Sequence, residues 1–206
     1  MNNENIKYGF KPFLSQNTFK YYLENPELAR MWHHERHNMP KPSPEVQKFL
    51  DFGHQMHAKA HDLYPDGLEE TRKLTYKEHL ENSMKLIQER RIPLFELGFE
   101  FDGNYARPDI MLPSENDSWE LIEVKATSHT YDNDVKYTAY MYYVITSLGI
   151  KISKSYLMLL KKGLYVQPEM KAKDIFAKTD ITEKVIGLQE YISEAIILMR
   201  KEVNKI

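Results

Sequence analysis

In the middle of this chain Arg107-Pro108-Asp109-Ile110-Met111-Leu112 is followed, after a polar turn, by Glu120-Leu121-Ile122-Glu123-Val124-Lys125. An Asp, a Glu and a Lys embedded in two apolar segments can converge on one edge of a sheet. That is a layout for holding a divalent cation, Mg²⁺ or Mn²⁺, and for activating water against a phosphate. Asp109 and Glu123 would each give one oxygen, and the Val124 carbonyl could give another. Lys125 would orient the water or stabilise charge developing on the phosphoryl group.

The elements that must position these residues follow from a period of two. Phe95, Leu97, Phe99 and Phe101 alternate with Glu96, Gly98 and Glu100, and Asp102-Gly103 is a type I′ hairpin signal. Residues 104–112 and 119–126 complete a three-strand meander. With Asp102-Gly103 as a two-residue turn, Phe101 faces Asn104 and Glu96 faces Asp109. With the next turn centred on Asn116, Asp109 faces Glu123. Glu96, Asp109 and Glu123 then form one row across three strands, and Lys125, two residues on, shares their face. The other face would carry Phe95, Leu97, Ile110, Leu112, Ile122 and Val124. Such a row is either a solvated face with cross-strand Lys–Glu pairs or a cation site. Three neighbouring acids repel one another, and a bound cation would resolve that repulsion.

The rest of the chain supplies helices and two further strands. Ser15, Ser43-Pro44 and the capping box Thr75-x-x-Glu78 each open a helix in residues 1–92. A helix from near Asn133 to Leu148 follows the meander and stops at Gly149. Strands at 155–160 and 164–166 come next. Residues 169–206 read as helical, with Asp180-x-x-Glu183 capping a helix whose stripe runs from Val185 through Leu188, Ile192 and Met199 to Val203. The order βββαβ behind a helical region is mixed α/β, and the whole reads as one domain.

Composition narrows the chemistry. The chain has 206 residues, 42% hydrophobic and 28% charged, with a formal net charge of −2. It has no cysteine, which excludes thiol catalysis, Cys-bound zinc and a Cys-ligated iron–sulfur cluster. Met1 to Asn5 is polar and no segment is long and apolar enough to span a membrane, so a cytoplasmic location is the expectation. A net negative charge means that any nucleic-acid contact must come from a local basic surface or through a bound cation.

Pro108-Asp109 followed by Glu123-Val124-Lys125 resembles the PD-(D/E)XK nuclease superfamily, whose core is αβββαβ. It is similar in particular to the RecB-like branch, including the CRISPR-associated RecB-like exonucleases and a related bacterial family of unknown function. Phe52 to His57 with Leu63 to Gly67 resembles that branch's helix with an upstream histidine. Phe95 to Phe99 resembles its strand with an extra acid, Asp134 to Tyr143 its following helix, and Lys154 to Val166 its later strand pair. The resemblance runs from about Leu14 to Thr182. It implies a restriction-endonuclease-like fold and hydrolysis of DNA phosphodiester bonds, on single strands or on duplexes with ends. By position, Asp109, Glu123 and Lys125 would be catalytic. The metal ligands would be His57, Asp109, Glu123 and Val124, with Glu96 an auxiliary acid, and an imidazole in the set leans towards Mn²⁺. Spacing alone leaves His57 on a polar helix face with His54 and His61.

The chain departs from that branch twice. The cluster cysteines are missing, so no iron–sulfur cluster is expected. The usual Gln-x-x-x-Tyr on the helix after the lysine has Met141 and Ile145 in its place. Lys136, Tyr137 and Tyr140 on that helix are candidates for substrate contact, or simply a packed aromatic helix. The missing Gln also keeps open an alternative: a weak or inactive nuclease fold that binds nucleic acid or a partner in a DNA-processing or defence complex. His33, His34 and His37 read as surface residues. Lys11, Phe13, Phe19, Lys20, Tyr21 and Tyr22 read as a core-facing helix side more readily than as a strand-binding groove.

Overall fold

The computed structural model describes residues 13–35, 39–69 and 74–205. In chain order it runs β1 (Leu14–Ser15), α1 (Gln16–Glu24), α2 (Pro26–Glu35), α3 (Pro44–His61), α4 (Tyr76–Glu89), β2 (Leu94–Phe95), β3 (Phe99–Phe101) and β4 (Asn104–Ala106). It continues through β5 (Ile110–Pro113), β6 (Ser118–Lys125), α5 (Asp132–Ser147), β7 (Lys151–Leu160), α6 (Ala172–Ile175), β8 (Phe176–Asp180), α7 (Thr182–Gly187) and α8 (Gln189–Val203). The fold is mixed α/β.

The caps explain where the helices begin. The Ser15 hydroxyl accepts from Thr18 N at 3.1 Å to start α1, and Ser43 accepts from Val46 N to start α3. The Thr75–Glu78 box is closed in both directions at the head of α4. Gly149, with φ +83°, lets the chain leave α5 in a left-handed conformation.

The large sheet has the order β2-β5-β6-β7-β8. β2, β5 and β6 are antiparallel neighbours, α5 crosses over, and β7 lies parallel to β6. With a helix ahead of β2, this is the αβββαβ order. Phe95 pairs with Ile110 and Ile110 with Ile122, the register read from the two turns. Asp102 and Gly103, at φ 51° and 73°, and Asn116 and Asp117, at φ 53° and 57°, form those turns.

One expectation is corrected at Glu96. Its φ is 57°, a left-handed conformation that costs a non-glycine residue roughly 1–3 kcal/mol. The kink ends β2 and splits the meander, so β3 and β4 leave the large sheet and join β1 in a small one of order β1-β4-β3. Glu96 N still donates to Asp109 O at 3.1 Å, so the two remain opposite one another. Leu97, beyond the kink, packs with Met111 and Leu121 and not with Phe95, Ile110, Ile122 and Val124.

Alternation along β5 and β6 therefore feeds two cores. Met111 and Leu121 meet Ala139, Tyr140 and Val144 of α5 and Ile192 and Met199 of α8. Ile110, Ile122 and Val124 meet Met56 and Ala60 of α3. Glu123 and Lys125 point to the α5 side of the sheet, since they share parity with Leu121.

The C-terminal part differs from its sequence reading. Residues 164–166 form no strand, and the expected helix from 180 is two helices, α7 and α8. β8 stands where helix was expected. It pairs with β7 as an edge strand exposed beyond Phe176. Asp180 is not the cap of α7, whose N-cap is Ile181; one residue earlier, it accepts from Thr182 N at 2.9 Å.

Candidate metal centre

His57 sits near the end of α3, an element that the Met56–Ala60 apolar pair docks on the sheet. Its Nδ1 lies 3.2 Å from Asp109 Oδ1. Asp109 stands immediately before β5, and its Oδ2 accepts the Val124 N–H at 2.7 Å. The kink brings Glu96 to the same point: ligand atoms of His57, Glu96 and Asp109 all lie within 4.8 Å of one another. Glu96 Oε2 meets Arg107 Nε at 3.0 Å.

Glu123 and Lys125 form the other half of the site. Lys125 Nζ lies 2.9 Å from Glu123 Oε1 and 3.7 Å from Asp134 Oδ1, and 4.7 Å from the centre of the Tyr137 ring. Glu123 Oε2 is buried with no hydrogen-bond partner. Such an atom carries a desolvation cost that a ligand would offset.

The charges are strongly perturbed. Burial favours neutral His57, but its bond to Asp109 and the charges of Asp109, Glu123 and Glu96 prevail and raise its pKa to about 9. Burial and the Asp109 charge push Glu123 up to about 8 against Lys125 and His57. Glu96 rises to about 7 through burial and Asp109, opposed by Arg107 and His57. Asp109 stays ionised: burial is outweighed by His57, Lys125 and the Val124 N–H. Lys125 is favoured as the cation, since its three acidic neighbours overcome burial.

These groups line a cleft of about 880 Å³. Gln16, Asn17 and Lys20 of α1 form one wall, Phe49, Gly53 and His54 of α3 another, and Asn133, Asp134 and Tyr137 of α5 a third. A divalent cation fits this donor set. One imidazole nitrogen and two carboxylates converge within 4.8 Å, and a partnerless Glu123 oxygen lies in the same cleft.

The grouping differs from the sequence reading in its details. Glu96, expected as an auxiliary acid, stands with His57 and Asp109, while Glu123 is turned to Lys125. Val124 contacts the site through its N–H, which donates to Asp109 Oδ2. Tyr140 is fully buried, stacked on Phe19 at 4.6 Å with its hydroxyl on Leu14 O, so it cannot meet a substrate. Lys136 lies over the Tyr191 ring of α8 at 5.5 Å, away from the cleft. Met141 and Ile145 are core residues, and the helix turns Tyr137 to the cleft.

His34 is exposed as expected and bonds Val203 O of α8 at 2.5 Å, while His33 is half-buried. Of the early basic and aromatic residues, Lys20 reaches the cleft. Lys11 and His37 lie outside the described residues. Arg107 and Asp134 were not read as site residues. Arg107 directly precedes the Pro-Asp pair, and Asp134 lies in the first turn of the helix after the lysine.

No protein-family model matches the chain, and no curated protein matches it. Among solved structures, one titled "Crystal structure of SSO0001" aligns over 95% of this chain and 81% of its own, at 11% identity and a TM-score of 0.36. A likeness that weak carries no argument about chemistry. Among the described residues no helix is long and apolar enough to cross a membrane.

Proposed function

We propose that this protein is a metal-dependent deoxyribonuclease that hydrolyses phosphodiester bonds. The observation that carries the reading is the convergence of His57, Glu96 and Asp109 within 4.8 Å, in a cleft shared with the Glu123–Lys125 pair.

His57, Glu96 and Asp109 would hold Mn²⁺ or Mg²⁺, with the imidazole favouring Mn²⁺. Bound there, the cation supplies an acidified water and neutralises charge on the phosphate. The Val124 N–H fixes Asp109 Oδ2, and the other oxygen, Oδ1, faces His57. Lys125, held protonated by its acidic neighbours, donates to an oxygen of the phosphate or to the attacking water. Glu123, whose Oε2 is buried and partnerless, would take a proton from that water once the cation's charge favours its ionised form. The ester P–O bond breaks as the water oxygen bonds phosphorus, and the leaving oxygen takes a proton from solvent water, leaving a 3′ or 5′ phosphate and a hydroxyl.

A second reading is a fold that binds nucleic acid or a partner without cutting. What favours it is the confinement of Lys125 between Glu123, Asp134 and the Tyr137 ring. Incubating labelled single- and double-stranded DNA with Mn²⁺, Mg²⁺ or EDTA separates the two. Metal-dependent cutting supports the first, and metal binding without cutting supports the second.

A further inference from the structure

We infer that Arg107 is the residue that grips the substrate phosphate, and that cation binding releases it for this task by taking Glu96 from it. The inference rests on the nuclease reading for its metal centre.

Glu96 is shared. Its Oε2 is 3.0 Å from Arg107 Nε, and the same carboxylate belongs to the group whose ligand atoms approach within 4.8 Å. A carboxylate that gives charge to a divalent ion has less to offer a guanidinium, and two cations on one acid repel each other. Arg107 is built to move in its side chain and not in its backbone. Its N–H is held by the Gln16 side chain of α1, and Pro108 restricts it to extended conformations. Its side chain is about half exposed, at 49%, and lines the cleft.

A guanidinium freed at the edge of a metal centre is a planar, permanently charged donor. It matches two phosphate oxygens at once, which a lysine does not. The cleft is otherwise rich in acids, with Glu96, Asp109, Glu123 and Asp134 among its lining residues. Until the cation arrives, Glu96 holds the guanidinium that a phosphate would need. Cation and phosphate therefore bind with positive coupling, and by linkage each raises the affinity of the other.

The test uses two titrations. Mn²⁺ is titrated by calorimetry into the protein alone, as wild type, Arg107→Ala and Arg107→Lys. A fluorescent oligothymidylate is then titrated by anisotropy, with and without Mn²⁺, in a Lys125→Ala background so that the strand stays intact. With the competing guanidinium gone, Arg107→Ala should bind Mn²⁺ as tightly as wild type or a few-fold more tightly. It should weaken strand binding roughly tenfold or more in Mn²⁺ and leave it nearly unchanged without Mn²⁺. In Mn²⁺ it should also reduce the salt dependence by about one phosphate contact, a log–log slope change of about 0.7. Arg107→Lys should fall between the two, and it carries the test if Arg107→Ala does not fold.

Weaker Mn²⁺ binding in a folded Arg107→Ala would show that Arg107 merely positions Glu96, and would overturn the inference. So would an equal loss of strand affinity with and without Mn²⁺, or no loss at all. Wild-type protein that binds Mn²⁺ yet never cuts DNA would count against the nuclease reading and leave these titrations readable on their own terms.

Discussion

Asp109 Oδ2 accepts the Val124 N–H at 2.7 Å, and this single bond ties the first carboxylate of the site to the backbone of the strand that carries the second. Asp109→Asn keeps an acceptor for Val124 but loses the anion. It should fold with a Tm close to wild type and lose Mn²⁺ affinity by about a hundredfold or more, reading the loss of a ligand as at least the cost of a supporting contact. Asp109→Ala also strands the buried N–H, which costs about 1–3 kcal/mol. Thermal unfolding with and without Mn²⁺, together with calorimetric titration, checks both.

Without metal, the protein should lose stability as pH rises. His57 goes from an ordinary value near 6.5 to about 9 on folding, so its contribution is complete below pH 6.5 and is lost between there and pH 9. Glu96 and Glu123, raised to about 7 and about 8, act in the same direction from about pH 4.5 upward, because folding disfavours their ionised forms. Metal binding needs these groups deprotonated, so Mn²⁺ affinity should rise over the same range. Melting curves from pH 6 to 9 should therefore fall without metal and be restored by Mn²⁺.

Tyr140 separates packing from chemistry on α5. Its ring is fully buried and its hydroxyl bonds Leu14 O at 3.0 Å. Tyr140→Phe should cost about 1 kcal/mol and Tyr140→Ala about 3–5 kcal/mol, with Mn²⁺ affinity of the folded fraction unchanged. Tyr137→Phe, which keeps the ring over Lys125, should alter neither strongly. Chemical denaturation and calorimetry on the same samples measure the contrast.

Much of this arrangement was legible in the chain because turn chemistry sets register. Asp102-Gly103 and the turn at Asn116 were enough to place Phe95 on Ile110 and Ile110 on Ile122. The kink at Glu96 was not legible, since a glutamate carries no preference for a positive φ. What imposes it is tertiary: His79 Nε2 bonds Glu96 O at 3.1 Å and Gly98 N donates to Ser83 Oγ at 2.9 Å. Spacing could not choose His57 over His54 or His61, because only the docking of α3 decides which ring reaches Asp109. Strand β8 escaped notice for a related reason: Phe176-Ala177-Lys178-Thr179-Asp180 is an exposed edge with a single large apolar residue. Arg107 escaped because its partner, Glu96, reaches it only through the kink.

The most direct test of the central claim is cleavage of end-labelled DNA by the purified protein in Mn²⁺, beside Asp109→Asn and Lys125→Ala. The account predicts cutting that EDTA abolishes. Asp109→Asn should lose it together with Mn²⁺ binding. Lys125→Ala should lose about a hundredfold or more in rate while still binding Mn²⁺. Cleavage that persists in both variants, or no cleavage by wild-type protein saturated with Mn²⁺, would contradict it.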